Sequence, residues 1–164
     1  MLKNLFKKNT GELKIYAPLE GKVVDLNEVP DPVFAERMMG EGVAIEPVNG
    51  EVVSPVDGEI VQLFHTNHAV GIKTKSGVEV LVHIGLETVS MEGEGFEGHV
   101  KAGDKVKTGD KLITFDMNLV QEKAKSTITP IIITNYNDVA ANMEQHTMDN
   151  AIRGETEIMM IQMK

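Results

Sequence analysis

The chain has no cysteine and no tryptophan, and its only aromatic side chains are five phenylalanines and two tyrosines. Disulfides, thiolate nucleophiles and Cys-based zinc sites are excluded. Nothing points to an oxidising compartment. The core must therefore be aliphatic, built from Val, Ile, Leu and ten methionines. No apolar run approaches the ~20 residues of a membrane-spanning helix. The start, MLKNLFKKN, is basic but lacks the apolar stretch and cleavage site of a signal peptide, so a cytoplasmic location is expected. Positive charge is also short: 16 Lys and Arg face 25 Asp and Glu, for a net charge of −9. Nucleic acid is not expected as a partner. Basic or mixed-charge protein partners suit the balance better.

The length, 164 residues, fits one domain. Residues 1–12 read as a flexible N-terminal tail. Leu2, Leu5 and Phe6 opposite Lys3, Lys7 and Lys8 also allow a short amphipathic contact with a membrane surface. Residues 13–164 read as a single domain of short strands separated by Gly, Pro and Asp turns. Short helices are expected in DPVFAERMMG (31–40), where Asp31 can cap and Pro32 suits the first helical position, and in DMNLVQEKA (116–124). The strings APLEGKVV (17–24) and SPVDGEIV (54–61) repeat one pattern 37 positions apart, which implies a duplicated motif. The expected fold is all-β, an antiparallel sandwich or flattened barrel with one or two short helical segments.

Residues 64–87 read as a β-hairpin with arms HAVGIKT and VEVLVHI around Lys75, Ser76 and Gly77. Each arm carries a histidine, His68 and His83. With a two-residue loop at Ser76-Gly77, His83 faces Val70 and His68 faces Gly85. With Lys75-Ser76 as the loop, the histidines face each other. Either register puts both imidazoles on one face, within reach of each other. Only an odd loop length, such as a bulge at Gly77 produces, separates them. On the even registers the histidine face also carries Val70, Ile72 and Leu81. Ala69, Gly71, Val78, Val80, Val82 and Ile84 then form the core face.

Paired histidines suit three chemistries. Metal binding needs a third ligand, which no spacing supplies, so His68 and His83 would hold a metal only in crystals or within a complex. General acid–base catalysis needs a substrate pocket, which the pattern does not show. Nucleophilic catalysis on phosphorus needs less: one neutral imidazole, a partner fixing its tautomer, and a donor for the phosphate oxygens. A backbone carbonyl near Gly85 can hold His83, Thr66 can hold His68, and His68 can donate to the phosphate.

The strings VPDPVFAERMMGEGVAI (29–45), SPVDGEI (54–60), FHTNHAVGI (64–72), GVEVLVHIGLETVSMEGEGF (77–96) and EKAKSTITPIIITN (122–135) closely resemble the glucose-type enzyme IIA phosphocarrier of the bacterial phosphoenolpyruvate-dependent sugar phosphotransferase system. The resemblance runs from about Ile15 to Met163. It implies that His83 is the phosphorylated residue, at Nε2 (tele-phosphohistidine). It makes His68 the second active-site histidine and Thr66 its hydrogen-bonding partner. It implies phospho-HPr as donor, a sugar-specific IIB domain of a membrane permease as acceptor, and no cofactor. It also implies an apolar docking surface at Val33, Phe34, Met38, Met39, Phe64, Leu81 and Val89. Methionines suit a surface that fits two partners in turn. Glu87, Glu92, Glu94 and Glu97 are placed to ring it. In some bacteria the free-standing form also regulates other carbohydrate proteins, so the resemblance allows regulatory targets as further partners, a role on which the sequence itself is silent. Met1 and the short basic tail favour a free-standing domain over a fragment of a fused permease.

The rival readings are a regulatory binding module that has lost transfer, a zinc-dependent β-fold hydrolase, and a biotinyl- or lipoyl-carrier domain. The last would need a lysine flanked by methionine on a tight turn, and Lys75 lacks that flanking. His65, His99 and His146 are given no role.

Overall fold

The two copies of the repeated string bond to each other. Tyr16 N donates to Pro55 O and Val53 N donates to Pro18 O, both at 2.9 Å. Neighbouring positions repeat the exchange. Ala17 N donates to Thr156 O and Ser54 N to Asp110 O; Gly154 N donates to Ala17 O and Gly109 N to Ser54 O. The echo in the sequence therefore marks a duplicated fold joined about a local two-fold axis.

The computed structural model describes residues 11–164. The proposed 1–12 tail lies almost wholly outside the described residues, and Glu12 is already the first residue of β1. The strands are β1 (Glu12–Tyr16), β2 (Gly21–Asp25), β3 (Glu41–Pro47), β4 (Glu51–Val53), β5 (Gly58–Leu63), β6 (Ala69–Lys73) and β7 (Glu79–His83). They continue as β8 (Phe96–Gly98), β9 (Lys105–Val106), β10 (Lys111–Phe115), β11 (Thr129–Ile133), β12 (Ala140–Gln145), β13 (Met148–Ala151) and β14 (Glu157–Met163). Short helices are α1 (Pro32–Ala35), α2 (Met117–Lys123) and α3 (Tyr136–Val139).

One sheet has the order β13-β2-β3-β11-β7-β6-β5-β9, and two smaller sheets have the orders β1-β14-β12 and β4-β10-β8. Exchanging β2 with β5, β3 with β6, β7 with β11 and β9 with β13 reverses the large sheet onto itself. Exchanging β1 with β4, β14 with β10 and β12 with β8 carries one small sheet onto the other. All the pairings are antiparallel. The aliphatic core fills the space between the large sheet and the two small ones. Ile15, Val52, Ile113 and Ile161 enter it from the small sheets, and Ile45, Val70, Val82 and Ile131 from the large one. A second cluster lies on the other face, where the excursion 26–40 covers the sheet. There Leu26, Val29 and Phe34 pack on Ala44, Ala69, Leu81 and Ile132. Strand β11 is buried on both sides, which is why TPIII shows no alternation.

The central hairpin corrects the expected register. Lys73 pairs with Glu79 and Ala69 with His83. The loop thus has three residues, Lys75, Ser76 and Gly77. It is closed by Thr74 N to Val78 O and Gly77 N to Thr74 O, both 2.9 Å, with Gly77 at φ +94°. This is the odd-length loop with a left-handed glycine. Asn135 clasps it from β11's end, accepting from Glu79 N at 2.9 Å and donating to Gly77 O at 2.8 Å.

The odd loop exchanges part of the two faces. Val70 and Ile72 join Val78, Val80, Val82 and Ile84 in the main core. Ala69 and Leu81 lie in the second cluster, on the face His83 shares. By strand alternation His68 should then point into the main core. It does not, because it precedes β6 and follows Asn67, whose φ of +58° resets the chain direction. Across the sheet, the ladder between β11 and β7 covers only Ile131–Ile133. Pro130 has no N–H to extend it, and β7 ends at His83.

Candidate functional site

His68 and His83 meet in a T-shaped contact, ring centroids 5.2 Å apart with planes at 79°. Each is oriented through Nδ1. His83 Nδ1 lies 2.9 Å from Gly85 O. A carbonyl only accepts, so this nitrogen carries the proton and Nε2 keeps its lone pair. His68 Nδ1 bonds to Thr66 Oγ1. If the hydroxyl donates, His68 presents an Nε2–H. Among the described residues neither Nε2 has a hydrogen-bond partner, so both stay available to a ligand.

Gly85 holds its place for a physical reason. Its φ is +69°, and a Cβ there would lie 2.7 Å from Thr88 Cγ2 and 2.8 Å from Ser126 O. Only glycine turns the carbonyl back onto the ring two residues earlier. Below the pair, Phe34 lies against His83 at 5.2 Å and Phe64 edges onto His68 at 5.5 Å.

Burial holds both imidazoles below their ordinary titration range. His68 is pushed down to about 4, by burial first and then by the neighbouring His83. His83 is also lowered by burial, partly offset by its bond to Gly85 and by the Asp31 carboxylate. Both rings are neutral at pH 7. This has a consequence for stability. In the unfolded chain these histidines titrate near the ordinary value of about 6.5. As pH falls below that value, the unfolded state takes up protons that the folded state refuses. Stability is therefore lost as pH falls from about 6.5 to about 4. His68→Gln is expected to remove on the order of 2 kcal/mol of that loss. Urea unfolding midpoints measured across this range check it; an equal slope in the variant would contradict it.

The sequence-predicted docking residues divide into two groups. Val33, Met38, Met39 and Val89 are exposed, Met38 at 70% and Val89 at 58%. Phe34 and Leu81 are nearly covered, at 5% and 7%, and Phe64 is half-buried. These three form the floor under the rings rather than the open rim. Glu87, Glu92, Glu94 and Glu97 are all exposed. Glu94 is paired with Lys123 at 2.7 Å. His65 and His99 are exposed, His99 bonding to Thr114; His146 pairs with Glu157 at 3.2 Å. Among the described residues no group of three or more His, Cys, Asp or Glu is arranged to hold a metal.

Two features escaped sequence reasoning. Asp31 caps α1, accepting from Val33 N at 2.9 Å, as expected, but its electrostatic influence on His83 was not foreseen. Neither was the contact of Phe34 with the His83 ring. No spacing rule links residues so far apart in the chain.

Comparison with known proteins gives a consistent result. Residues 13–139 match the family model described as phosphoenolpyruvate-dependent sugar phosphotransferase system, EIIA 1. The chain is 61% identical to the PTS system glucose-specific EIIA component of Bacillus anthracis, over 100% of both chains. It is 48% identical to the protein of the same name in Staphylococcus aureus strain N315, over 99% of both. Among solved structures, the glucose permease IIA from Mycoplasma capricolum superposes with a TM-score of 0.83 at 42% identity, covering 91% of this chain and 95% of that one.

Proposed function

From the premise that the chain belongs to the EIIA 1 family of the sugar phosphotransferase system, a phosphotransferase component that carries phosphoryl groups from HPr to IIB, we propose that His83 Nε2 is the atom that carries the group. The observation that supports this most is the bond from His83 Nδ1 to Gly85 O at 2.9 Å. It leaves the Nε2 lone pair as the nucleophile, beside a second imidazole able to face the phosphate.

In the step, the Nε2 lone pair attacks phosphorus of phospho-HPr. The bond from phosphorus to the donor's imidazole nitrogen breaks, and its electron pair returns to that ring. His83 keeps its Nδ1 proton on Gly85 O, so the phosphorylated ring is an imidazolium whose positive charge offsets the phosphate. Asp31 favours that charge. Thr66 donates its hydroxyl to His68 Nδ1, so that His68 Nε2–H points to a phosphate oxygen. In the reverse sense, the same geometry releases the group to IIB. The apolar rim of Val33, Met38, Met39 and Val89 would receive each partner in turn. No helix among the described residues is long and apolar enough to cross a membrane. Glucose as the sugar served is a part of the proposal drawn from the relatives' names; cytoplasmic residence and regulatory targets enter it from the sequence reading alone.

Incubation with phosphoenolpyruvate, enzyme I and HPr tests transfer, followed by a panel of sugar-specific IIB domains. Acid-labile, base-stable label that leaves for a glucose-type IIB supports the reading; no uptake of label overturns it. Placing a charge on the rim checks the docking surface. Val89→Glu is expected to raise the apparent KM for phospho-HPr about tenfold, and to change stability by less than about 0.5 kcal/mol. An unchanged KM would remove Val89 from the surface.

A further inference from the structure

The excursion 26–40 carries the Asp31 cap, the Phe34 ring and the exposed Val33, Met38 and Met39. Its polar bonds are almost all internal. Val29 N bonds Leu26 O, the α1 amides bond Asp31 and Pro32, and Gly40 N bonds Arg37 O. Arg37 bonds Asp25, Asn27, Ala35 and Glu41. Among the described residues, one polar bond ties this excursion to anything beyond Asp25 and Glu41. Lys125 Nζ donates to Pro30 O at 2.9 Å.

The base of that tie is itself anchored beside the histidines. Lys125 N donates to Leu86 O at 3.1 Å, and Leu86 N donates to Ser126 O at 2.9 Å. Leu86 is the residue after Gly85, whose carbonyl holds His83. The lysine thus spans from the backbone that orients His83 to the carbonyl immediately before Asp31. We propose that Lys125 is a positioning residue for the transfer site: its ammonium pins Pro30 and so holds the 26–40 half of the docking rim, and the Phe34 ring, in register with His83.

The effect on transfer rests on the reading of His83 as the carrier; the pinning itself does not. Apolar packing of Leu26, Val29 and Phe34 keeps the excursion on the sheet without the tie. Loss of the bond therefore loosens the excursion rather than unfolding it. Thr66, His68, His83 and Gly85 lie outside the excursion, and Asp31, which lies within it, acts on His83 only through its charge, so the loss should appear in partner docking more than in the chemical step.

The test compares Lys125→Met, Lys125→Arg and Lys123→Met. The last cuts the ion pair to Glu94 on the opposite rim. Hydrogen exchange is followed at the amides of Phe34, Ala35 and Glu36, and transfer from phospho-HPr is measured on the same samples. Lys125→Met is expected to speed exchange at these amides and to raise the apparent KM about fivefold, with kcat within about twofold of the parent. Lys125→Arg, which keeps a donor, is expected to restore most of both. Lys123→Met is expected to leave α1 exchange unchanged. Unchanged exchange in Lys125→Met, equal loosening by Lys123→Met, or a fall in kcat at constant KM would overturn the proposal. If the parent protein takes up no phosphate, the reading of His83 fails, and the exchange measurement still decides the tie.

Discussion

His83→Ala is expected to abolish acceptance of phosphate from phospho-HPr, lowering the rate by at least about four orders of magnitude. Removing the ring removes the only lone pair in the site that is both fixed in tautomer and oriented by a backbone carbonyl. His68 cannot substitute for it. In the proposed arrangement Thr66's hydroxyl is the donor in its bond to Nδ1, which leaves His68 with a proton rather than a lone pair at Nε2. The fold should survive, because His83 ends β7 and the core-facing residues of that strand are Val80 and Val82. A circular dichroism spectrum and cooperative unfolding like the parent's would separate loss of chemistry from loss of fold. Acid-labile, base-stable label remaining on the variant would sink the assignment.

His68→Gln is expected to accept the phosphoryl group at a rate within about tenfold of the parent, yet to pass it to IIB about 10²–10³ times more slowly. The asymmetry follows from charge. Before transfer both rings are neutral, and the His68 ring, held down to about 4, contributes as a hydrogen-bond donor. A glutamine amide can also donate one. Once a phosphate dianion sits on His83, its field favours protonation of His68, and the contact becomes charge-assisted. Glutamine stays neutral and cannot follow. The negative charge that spreads over the phosphate oxygens during departure then lacks its nearest compensation. Single-turnover measurements of each half-transfer separate the two steps. Onward transfer at the parental rate, or loss of acceptance equal to the loss in His83→Ala, would contradict this division of roles.

Much of this site is legible in the sequence. The duplication is visible because each copy needs the same Pro and Gly at its turn, and the two prolines accept bonds across the local axis, Pro55 O from Tyr16 N and Pro18 O from Val53 N. The histidine pair was legible too, but partly for the wrong reason. Strand parity puts both rings on one face only for an even loop, and the loop has three residues. The two rings meet because Asn67, in the left-handed region, ends the alternation just before β6. A single positive φ at a non-glycine residue leaves little trace in a residue pattern. Phe34 and Leu81 illustrate another limit. Resemblance assigned both to a surface, but burial depends on what lies above them, and 26–40 folds over that face of the sheet. The tie from Lys125 to Pro30 crosses most of the chain, and no local pattern encodes it.

The central claim is that the phosphoryl group rides on His83 Nε2 while Nδ1 keeps its proton on Gly85 O. It is tested most directly by ¹⁵N and ³¹P NMR of the histidine-labelled protein after phosphorylation by phospho-HPr. The expected result is a phosphorus–nitrogen coupling at Nε2 of His83, with Nδ1 of the same ring still protonated. Coupling at His68, at Nδ1 of His83, or at any other residue would contradict the account.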